Sequence, residues 1–360
     1  MTRSRSRRAL AVVAAVIAAL ALAAGCTRAQ ESPSSAPAAD QGPAQQLRIG
    51  YFPNITHAGA LIGVQNGLFA QNLGQTKLST QTFNAGPAET AALLGNSIDL
   101  GFIGSGPAIN AYKQNPEGIR VISGATSGGA QLVVRPGITS PQQLLGKKIA
   151  TPQLANTQDI ALKKWLKQNN LPVGSGPNAV EVVNIDNARA LDAYRTGQLD
   201  GGWLPEPYAS QLVLQAGATA LLDERTLWPA GQFPTTVVIA RTDFVAAHPA
   251  TVAAFLRGLV AAEDLGTSDP NAAKAAANAG LGASGSKPLP QNVLDRAWGE
   301  VSLNPDPLAS TFPQLAQDAV TAGTAKSATD VKGLIDVGPL DQALTAAGRP
   351  TVSAAGLDQK

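Results

Sequence analysis

Short apolar or β-branched segments alternate with helix-length segments along much of this chain, and no other feature constrains its fold as strongly. Strands are predicted at residues 47–51, 79–83, 100–103, 120–123, 131–135, 148–150, 180–183 and 236–241. Strands separated by helices form βαβ units in a largely parallel sheet. After Asp243 the pattern predicts helices at residues 244–266, 271–279, 290–300, 313–322 and 327–335. The chain should therefore adopt an α/β fold with a helical C-terminal segment.

A weak internal repeat suggests that this α/β pattern occurs twice. Residues 95–102 and 197–203 share a glycine, an apolar residue followed by aspartate (Asp99 and Asp200), and a glycine before an aromatic residue. Chance is the alternative, because glycine and aspartate are common at turns. A true repeat predicts two similar lobes, each with loops at its strand ends, where ligands of open α/β sheets bind.

The N-terminus indicates export. Four arginines precede an unbroken apolar run over residues 9–24, which is shorter than the roughly 20 residues of a membrane-spanning helix. Ala24 and Gly25 before Cys26 resemble the lipobox of bacterial lipoproteins. We therefore expect residues 1–25 to be a lipoprotein signal peptide, Cys26 to carry lipid, and residues 26–46 to be a flexible linker. An ordinary secreted protein and an uncleaved anchor are the alternatives.

Charge and cysteine content exclude several classes of protein. The chain has 27 Lys and Arg against 25 Asp and Glu, and four of the arginines lie in the predicted signal peptide, so the mature chain is close to neutral. It lacks the basic tract expected of a nucleic-acid binder. Cys26 is the single cysteine, and His57 and His248 are far apart, so we expect no disulfide, no metal site and no cofactor.

Polar residues at predicted helix starts are the candidate ligand contacts in the first lobe. Asn54, Thr56 and His57 lie between the first strand and an apolar helix, and Ser105 and Gly106 follow another strand. Helix N-termini present unpaired N–H groups and a partial positive charge, which suit an anion. Helix capping is the alternative role for Ser105, and capping or packing is the alternative for His57.

In the second lobe, Asn156, Thr157 and Gln158 open a helix in the same manner. Asn156 and the carboxylate three residues later resemble a capping box, which leaves Thr157 and Gln158 available to a ligand. The turn Ser127-Gly128-Gly129 precedes the strand at residues 131–135 and is a further candidate.

The densest group of unusual residues is Trp203-Leu204-Pro205-Glu206-Pro207-Tyr208. Trp203 suits a wall against an alkyl chain, and Glu206 suits an acceptor for the polar end of a ligand. A stiff loop whose tryptophan seals the lobe is the alternative. The sequence contains no G-x-S-x-G elbow, no complete phosphate-binding loop and no His-x-x-x-His pair, so the usual enzyme signatures are missing.

Five segments together resemble the nitrate/sulfonate/taurine group of ABC-transporter substrate-binding proteins. They are RIGYFPNITHA (48–58), FNAGP (83–87), DLGFIGSGPA (99–108), TPQLANTQD (151–159) and WLPEPY (203–208). The resemblance implies a type II periplasmic-binding-protein fold, in which two α/β lobes joined by two crossover strands close on a small oxyanion. Lobe 1 would comprise residues 47–135 and 237–345, and lobe 2 would comprise residues 136–236.

The same resemblance implies a monomeric, lipid-anchored protein on the outer side of the cell membrane, which delivers a small anionic solute to an ABC permease and its ATPase. None of the candidate loops carries Lys or Arg, which favours a monoanionic aliphatic sulfonate. Nitrate, bicarbonate and a pyrimidine precursor are alternative ligands. An enzyme on the same fold is a further alternative, although related enzymes use cysteine and this chain has none after Cys26, and a lipoprotein sensor is another.

Overall fold

The computed structural model describes residues 39–359, which form two β-sheets with helices packed against them. The strands are β1 (Gln46–Tyr51), β2 (Lys77–Thr82), β3 (Leu100–Ile103), β4 (Ile119–Gly128), β5 (Ala130–Val134), β6 (Lys148–Thr151), β7 (Glu181–Asn184), β8 (Gly201–Pro205), β9 (Thr219–Asp223), β10 (Pro234–Arg241) and β11 (Val301–Leu303). The α-helices are α1 (Ala58–Gln65), α2 (Leu68–Leu73), α3 (Gly86–Leu94), α4 (Ser105–Gln114), α5 (Thr157–Gln168), α6 (Asn187–Arg195), α7 (Tyr208–Ala216), α8 (Thr242–Ala247), α9 (Pro249–Ser268), α10 (Pro270–Ala283), α11 (Gln291–Gly299), α12 (Phe312–Thr321) and α13 (Gly338–Ala346). Short 3-10 helices cover Ile55–His57, Pro141–Leu144, Glu224–Leu227, Pro229–Gly231 and Ala309–Thr311.

The two sheets share one strand arrangement. The first has the order β11-β4-β10-β3-β1-β2, in which β1 is parallel to β2 and β3, and β10 is antiparallel to β3. The second has the order β7-β6-β8-β5-β9, in which β6 is parallel to β7 and β8, and β5 is antiparallel to β8. Along the chain, β10 of the first sheet follows β9 of the second sheet, and β5 of the second sheet follows β4 of the first. The predicted α/β fold with two lobes is confirmed, and we call the first sheet with its helices lobe 1 and the second lobe 2.

Strands β3, β4 and β10 of the first sheet are buried on both faces, as expected where helices cover a sheet on two sides. Successive residues of β3 point to opposite faces, so Phe102 joins one apolar cluster and Ile103 joins the other. Phe102 packs edge-on against Phe255 of α9, with the ring centroids 5.9 Å apart, and Phe69 of α2 stacks on Phe255 at 4.8 Å. These contacts fix α2 and α9 against the sheet and leave the strand ends free for loops.

The repeated aspartates join equivalent strands in the two lobes. Asp99 Oδ2 accepts the backbone N–H of Arg48 at 2.9 Å, and the N–H of Asp99 donates to the carbonyl of Arg48 at 2.8 Å. Asp200 makes the same two bonds with Lys148, at 2.9 and 2.8 Å. The internal repeat is therefore a structural element that holds β1 beside β3 in lobe 1 and β6 beside β8 in lobe 2.

The chain passes between the lobes at positions that differ slightly from the predicted ones. The chain first passes from lobe 1 to lobe 2 at Gly128 and Gly129, whose φ angles of 77° and 78° suit glycine. The strand predicted at residues 131–135 therefore belongs to the second sheet and not to lobe 1. The chain returns from lobe 2 to lobe 1 through residues 224–233, before β10. At the other end, lobe 1 extends past residue 345, because the carbonyl of Leu357 accepts the N–H of Ile335 at 3.1 Å.

Part of the predicted linker is bound to lobe 1. The N–H of Gln41 donates to Ala247 O, and the N–H of Ala44 donates to the hydroxyl of Thr251, both at 2.8 Å. The predicted signal peptide, Cys26 and the first part of the predicted linker, residues 27–38, lie outside the described residues. Within residues 39–359, none of the helices combines the length and the apolar character needed to cross a membrane.

Two helix predictions need correction. Residues 327–335 form no helix, because Val331, Leu334 and Ile335 are buried by a loop that turns at Gly333, where φ is 77°. The helix predicted at residues 244–266 is split into α8 and α9 before Pro249, which occupies the first position of α9. Strands β9 and β11 have weak sequence patterns and were not predicted.

Candidate functional site

A narrow cleft lies between the lobes, near the ends of the parallel strands. Its cavity measures about 20 Å³, which holds about one small polar group. The lining residues are Phe52, Asn54, Thr56, His57, Asn84, Ala85, Gly86, Gly104, Pro107, Pro152, Asn156, Thr157, Gln158, Asn187, Pro205, Thr235 and Thr236. No Asp, Glu, Lys or Arg is among these described lining residues.

Four helices begin at this cleft, two from each lobe. Gly86 and Gly104 mark the starts of α3 and α4 in lobe 1, and Thr157 and Asn187 begin α5 and α6 in lobe 2. Each helix start carries unpaired N–H groups and about half a positive charge. No lining side chain is acidic, and the carboxylates in the first turns of these helices, Glu89 of α3 and Asp159 of α5, are not among the lining residues. The arrangement suits a small anion and needs no lysine or arginine.

His57 orients Thr56 and is itself neutral. Its Nε2 lies 3.1 Å from the carbonyl oxygen of Phe102, so this nitrogen carries the proton. Burial lowers the pKa of His57 to about 3, which keeps the ring uncharged. Nδ1 is then an acceptor, and the Thr56 hydroxyl donates to it at 3.2 Å. The predicted contact residues Asn54, Thr56 and His57 thus meet at the cleft, where His57 positions a neighbour and supplies no charge.

The capping box predicted in lobe 2 is present on its N-cap side. Asn156 Oδ1 accepts the N–H of Asp159 at 2.9 Å, and Asn156 Nδ2 donates to Gln158 Oε1 at 3.1 Å. This leaves the amino group of Gln158 to serve as a donor. The hydroxyl oxygen of Thr157 accepts the N–H of Gly106 from lobe 1 at 3.3 Å. The first turns of α4 and α5 therefore touch across the cleft.

Three buried polar atoms in and beside the cleft have no hydrogen-bond partner within residues 39–359. They are Asn187 Oδ1 and Thr236 Oγ1, which belong to lining residues, and Ser105 Oγ, at the first position of α4 next to the lining residue Gly104. A buried polar group without a partner costs about 1–3 kcal/mol. An anion can accept hydrogen bonds from the two hydroxyls and so recover this free energy, whereas Asn187 Oδ1 is itself an acceptor and needs a donor from the ligand.

Trp203 does not lie at the cleft, in contrast to the prediction. It is fully buried in lobe 2, edge-on to Trp165 with the ring centroids 6.1 Å apart, and its Nε1 donates to Glu224 Oε2 at 2.7 Å. Alternation along β8 directs Trp203 into one apolar cluster of lobe 2 and Leu204 into the other, whereas Pro205, at the end of the strand, reaches the cleft. The sealing role that we weighed as the alternative is the one observed.

Glu206 is also engaged elsewhere. Its carboxylate accepts from Arg296 Nη1 and from the N–H of Ser210, each at 3.1 Å, and Arg296 also donates to Gln131 Oε1 at 2.6 Å. Burial raises the pKa of Glu206 to about 7, while Ser210 and Arg296 act in the opposite direction. Arg296 belongs to α11, so this network ties the C-terminal helices to lobe 2 and leaves Glu206 outside the cleft lining.

The turn at residues 127–129 joins the lobes and does not line the cleft. The hydroxyl of Ser127 accepts the N–H of Phe233 at 3.2 Å, and the carbonyl of Gly128 accepts the Thr235 hydroxyl. A Cβ at Gly129 would approach Val301 to 2.5 Å. These contacts bring the two connections between the lobes together, which is the geometry of a hinge.

Sequence reasoning missed several lining residues. Asn187 opens α6 after β7, and Thr235 and Thr236 lie on β10 beside the second connection. The position of Asn187 just after a strand was a usable signal, because the loops after parallel strands form the site. The two threonines gave none, since only the fold brings β10 next to the cleft.

Glu89, in the first turn of α3, offers a test of buried charge near the site. Its carboxylate is fully buried over Gly50 and Gly101, without a hydrogen-bond partner among the described residues, and burial raises its pKa well above the usual value. The folded-state pKa lies above that of the unfolded chain. The stability associated with the protonated form is therefore complete below about pH 4.5 and is lost as the pH rises through the folded-state pKa.

We expect Glu89→Met to raise the free energy of unfolding by about 1–3 kcal/mol at pH 8 and by less at pH 5, because an unpaired buried carboxyl is removed. Urea unfolding at pH 5, 6.5 and 8 measures the free energy of unfolding of the unmodified protein and of the variant. Asp186→Asn, at the half-buried position before α6, is the acidic control. A destabilised Glu89→Met at pH 8 would contradict the expectation.

Two lobes of similar topology around a polar interlobe cleft define the two-lobe type II periplasmic-binding-protein fold. A sequence model described as the NMT1-like family matches residues 40–280, and the chain belongs to this family. The "Taurine-binding periplasmic protein" of Escherichia coli K12 is 27% identical over 216 residues, which cover 59% of this chain and 64% of that protein. The chain thus matches slightly less than two thirds of this relative's length.

Solved structures show the same fold. The alkanesulfonate-binding protein SsuA from Xanthomonas axonopodis pv. citri, bound to MOPS, has a TM-score of 0.66 at 22% identity and covers 81% of this chain and 98% of its own. The periplasmic nitrate-binding protein NrtA from Synechocystis PCC 6803 has a TM-score of 0.69 at 14% identity, with 85% and 90% covered. At these identities the likeness concerns the fold alone.

Proposed function

We propose that this protein is the extracytoplasmic solute-binding component of an ABC importer and that it captures an aliphatic sulfonate between its lobes. The observation that carries the proposal is the meeting of four helix N-termini at a cleft whose lining residues bear no charged side chain. This field attracts an anion, and the hydroxyl and amide groups of Thr157, Gln158 and Thr236 offer hydrogen bonds to its oxygens. The relative that binds taurine supports a sulfonate in particular.

Closure of the lobes would bury the anion and create the surface that a permease and its ATPase recognise. The contact between Thr157 and Gly106 across the cleft supports such a closed form. In this proposal the lipid on Cys26 holds the protein at the outer side of the membrane. Replacing Cys26 with Ser should release it from the membrane fraction into the soluble fraction.

A binding protein also fits the chemistry better than an enzyme. The described cleft offers no thiol and no carboxylate, and its histidine is neutral, with both ring nitrogens already engaged. Such a set can bind and orient an anion, but it lacks a poised nucleophile or general base.

Isothermal titration calorimetry tests the proposal. The purified protein should bind ethanesulfonate and taurine with micromolar or tighter affinity and should bind nitrate and sulfate at least about tenfold more weakly. Tight binding of nitrate or bicarbonate alone would assign the same cleft to another anion. Absence of binding to both ethanesulfonate and taurine would reject the sulfonate assignment.

A further inference from the structure

An ion pair joins the two lobes beside the anion cleft. Lys164 belongs to α5 of lobe 2, about two turns after Thr157 at the cleft wall, and Asp318 belongs to α12 of lobe 1. Lys164 Nζ lies 2.8 Å from Asp318 Oδ2, although 154 positions separate the two residues in the chain. The pair is therefore a contact between the lobes and not a local contact within one of them.

Both charged side chains are almost fully removed from water. The exposed fraction is 13% for Lys164 and 5% for Asp318. Together with Thr157 and Trp228 they line a cavity of about 20 Å³, which holds about one water molecule. A charge in such surroundings costs free energy unless its partner is in place. The two side chains thus depend on each other wherever the lobes are as close as they are in this structure.

Neighbouring groups orient each partner toward the other lobe. In lobe 1, Gln314 Nε2 donates to Asp318 Oδ1 at 2.7 Å, which leaves Oδ2 for Lys164. On the opposite side, Lys164 Nζ lies 5.3 Å from the ring centroid of Trp228, within the range of a cation–π contact. Burial raises the pKa of Glu224 to about 7, and the charge of Lys164 is among the groups that act in the opposite direction. Lys164 is therefore held between Trp228, Glu224 and Asp318, of which only Asp318 lies on a lobe 1 helix.

Trp228 connects this pair to the hinge. It belongs to the connection at residues 224–233, stacks on Phe233 with the ring centroids 5.9 Å apart, and packs against apolar clusters of both lobes. The cleft lies on one side of the pair, and a connection between the lobes lies on the other. A rotation that opens the cleft about this connection would move α12 away from α5 and expose both charges to water.

Removal of one partner should therefore affect the open and closed forms unequally. In the open form, water solvates whichever charge remains. In the closed form, the remaining charge stays buried without its partner, and this penalty opposes closure. Because a ligand between the lobes leaves only when they open, a weaker closed form releases the ligand faster.

We propose that Lys164 and Asp318 form a latch that holds the lobes closed and sets the rate at which the bound ligand leaves. Both are positioning residues, because neither is among the described residues that line the anion cleft. Association begins from the open form, in which the pair is apart, so the latch acts on dissociation. The effect on ligand release rests on the proposed function, whereas the effect on lobe closure does not.

Stopped-flow fluorescence with ethanesulfonate separates the two rate constants. Asp318→Ala should raise the dissociation rate at least about tenfold and change the association rate less than about twofold. Lys164→Met should raise the dissociation rate by a similar factor. The double variant should raise it no further than either single variant, because the two changes remove one interaction.

Asp295→Ala is the matched control, because Asp295 pairs with Lys274 within lobe 1. It should leave both rate constants within about twofold of those of the unmodified protein. Urea unfolding verifies that each variant is folded. If Asp318 had a structural role alone, Asp318→Ala would lower the free energy of unfolding and leave the dissociation rate unchanged, and that result would overturn the latch.

Spin-label distances test closure without an added ligand. In the Cys26→Ser chain, Gln114→Cys and Gln168→Cys place one label at the exposed end of α4 in lobe 1 and one at the exposed end of α5 in lobe 2. Asp318→Ala should move the measured distances to larger values, and Asp295→Ala should not. Unchanged distances in Asp318→Ala would overturn the latch while the proposed function stands. Absence of ethanesulfonate binding would instead reject the proposed function, and the label distances would still decide on the latch.

Discussion

Replacing Gly104 with valine should lower the affinity for the anion by about a hundredfold or more and leave the free energy of unfolding nearly unchanged. A Cβ at Gly104 would overlap the hydroxyl of Thr157, which belongs to the other lobe. The backbone of Gly104, with φ of −65° and ψ of 150°, is open to any residue, so lobe 1 itself tolerates the change. The clash arises only when the lobes approach, and binding requires that approach.

Calorimetry with ethanesulfonate gives the affinity, and urea unfolding gives the stability. Gly299→Val is the matched control, because a Cβ at Gly299 meets no atom within 4 Å, and it should bind as the unmodified protein does. Unaltered affinity in Gly104→Val would show that closure between α4 and α5 is not part of binding.

The Arg296→Met variant should lose about 3 kcal/mol of unfolding free energy at pH 8. Removal of the guanidinium leaves the carboxylate of Glu206, which has no exposed surface, without its ionic partner. Breaking a buried pair in this way typically costs about 3–5 kcal/mol. The loss should be smaller at pH 5.5, because the already raised pKa of Glu206, about 7, rises further without Arg296 and the folded state then holds the carboxyl protonated.

Urea unfolding at the two pH values measures the effect. Glu206→Gln combined with Arg296→Met should recover part of the loss, since no unpaired charge remains buried. Arg349→Met removes an exposed pair with Asp264, at 2.7 Å, and should cost less than about 1 kcal/mol. Equal losses in Arg296→Met and Arg349→Met would contradict the role of the buried network.

Local patterns predicted most of the fold. Apolar periodicity predicted β1, β3 and β6 within a residue at each end. The repeat around Asp99 and Asp200 indicated two lobes, and the structure gives its reason, since each aspartate bonds to a neighbouring strand. The same reasoning failed for residues 327–335, which it predicted to be a helix. Their apolar residues have helical spacing, yet tertiary contacts bury them in a loop that includes the β-bridge between Ile335 and Val121.

The site residues also divide into those that local sequence predicts and those that distant contacts determine. Asn156, Thr157 and Gln158 could be predicted because a helix cap is specified by residues three positions apart. Glu206 could not be assigned correctly, since its partner Arg296 lies 90 residues further along the chain. Trp203 has a composition typical of a ligand wall, but only the packing of α5 on the second sheet decides which side of β8 it occupies.

The crystal structure of the protein with ethanesulfonate tests the central claim most directly. We expect the sulfonate oxygens to accept hydrogen bonds from backbone N–H groups at the starts of α3, α4, α5 and α6, together with hydroxyl and amide groups of the cleft, and to contact no lysine or arginine. A sulfonate bound outside the cleft, or held by an arginine or lysine side chain, would contradict the account.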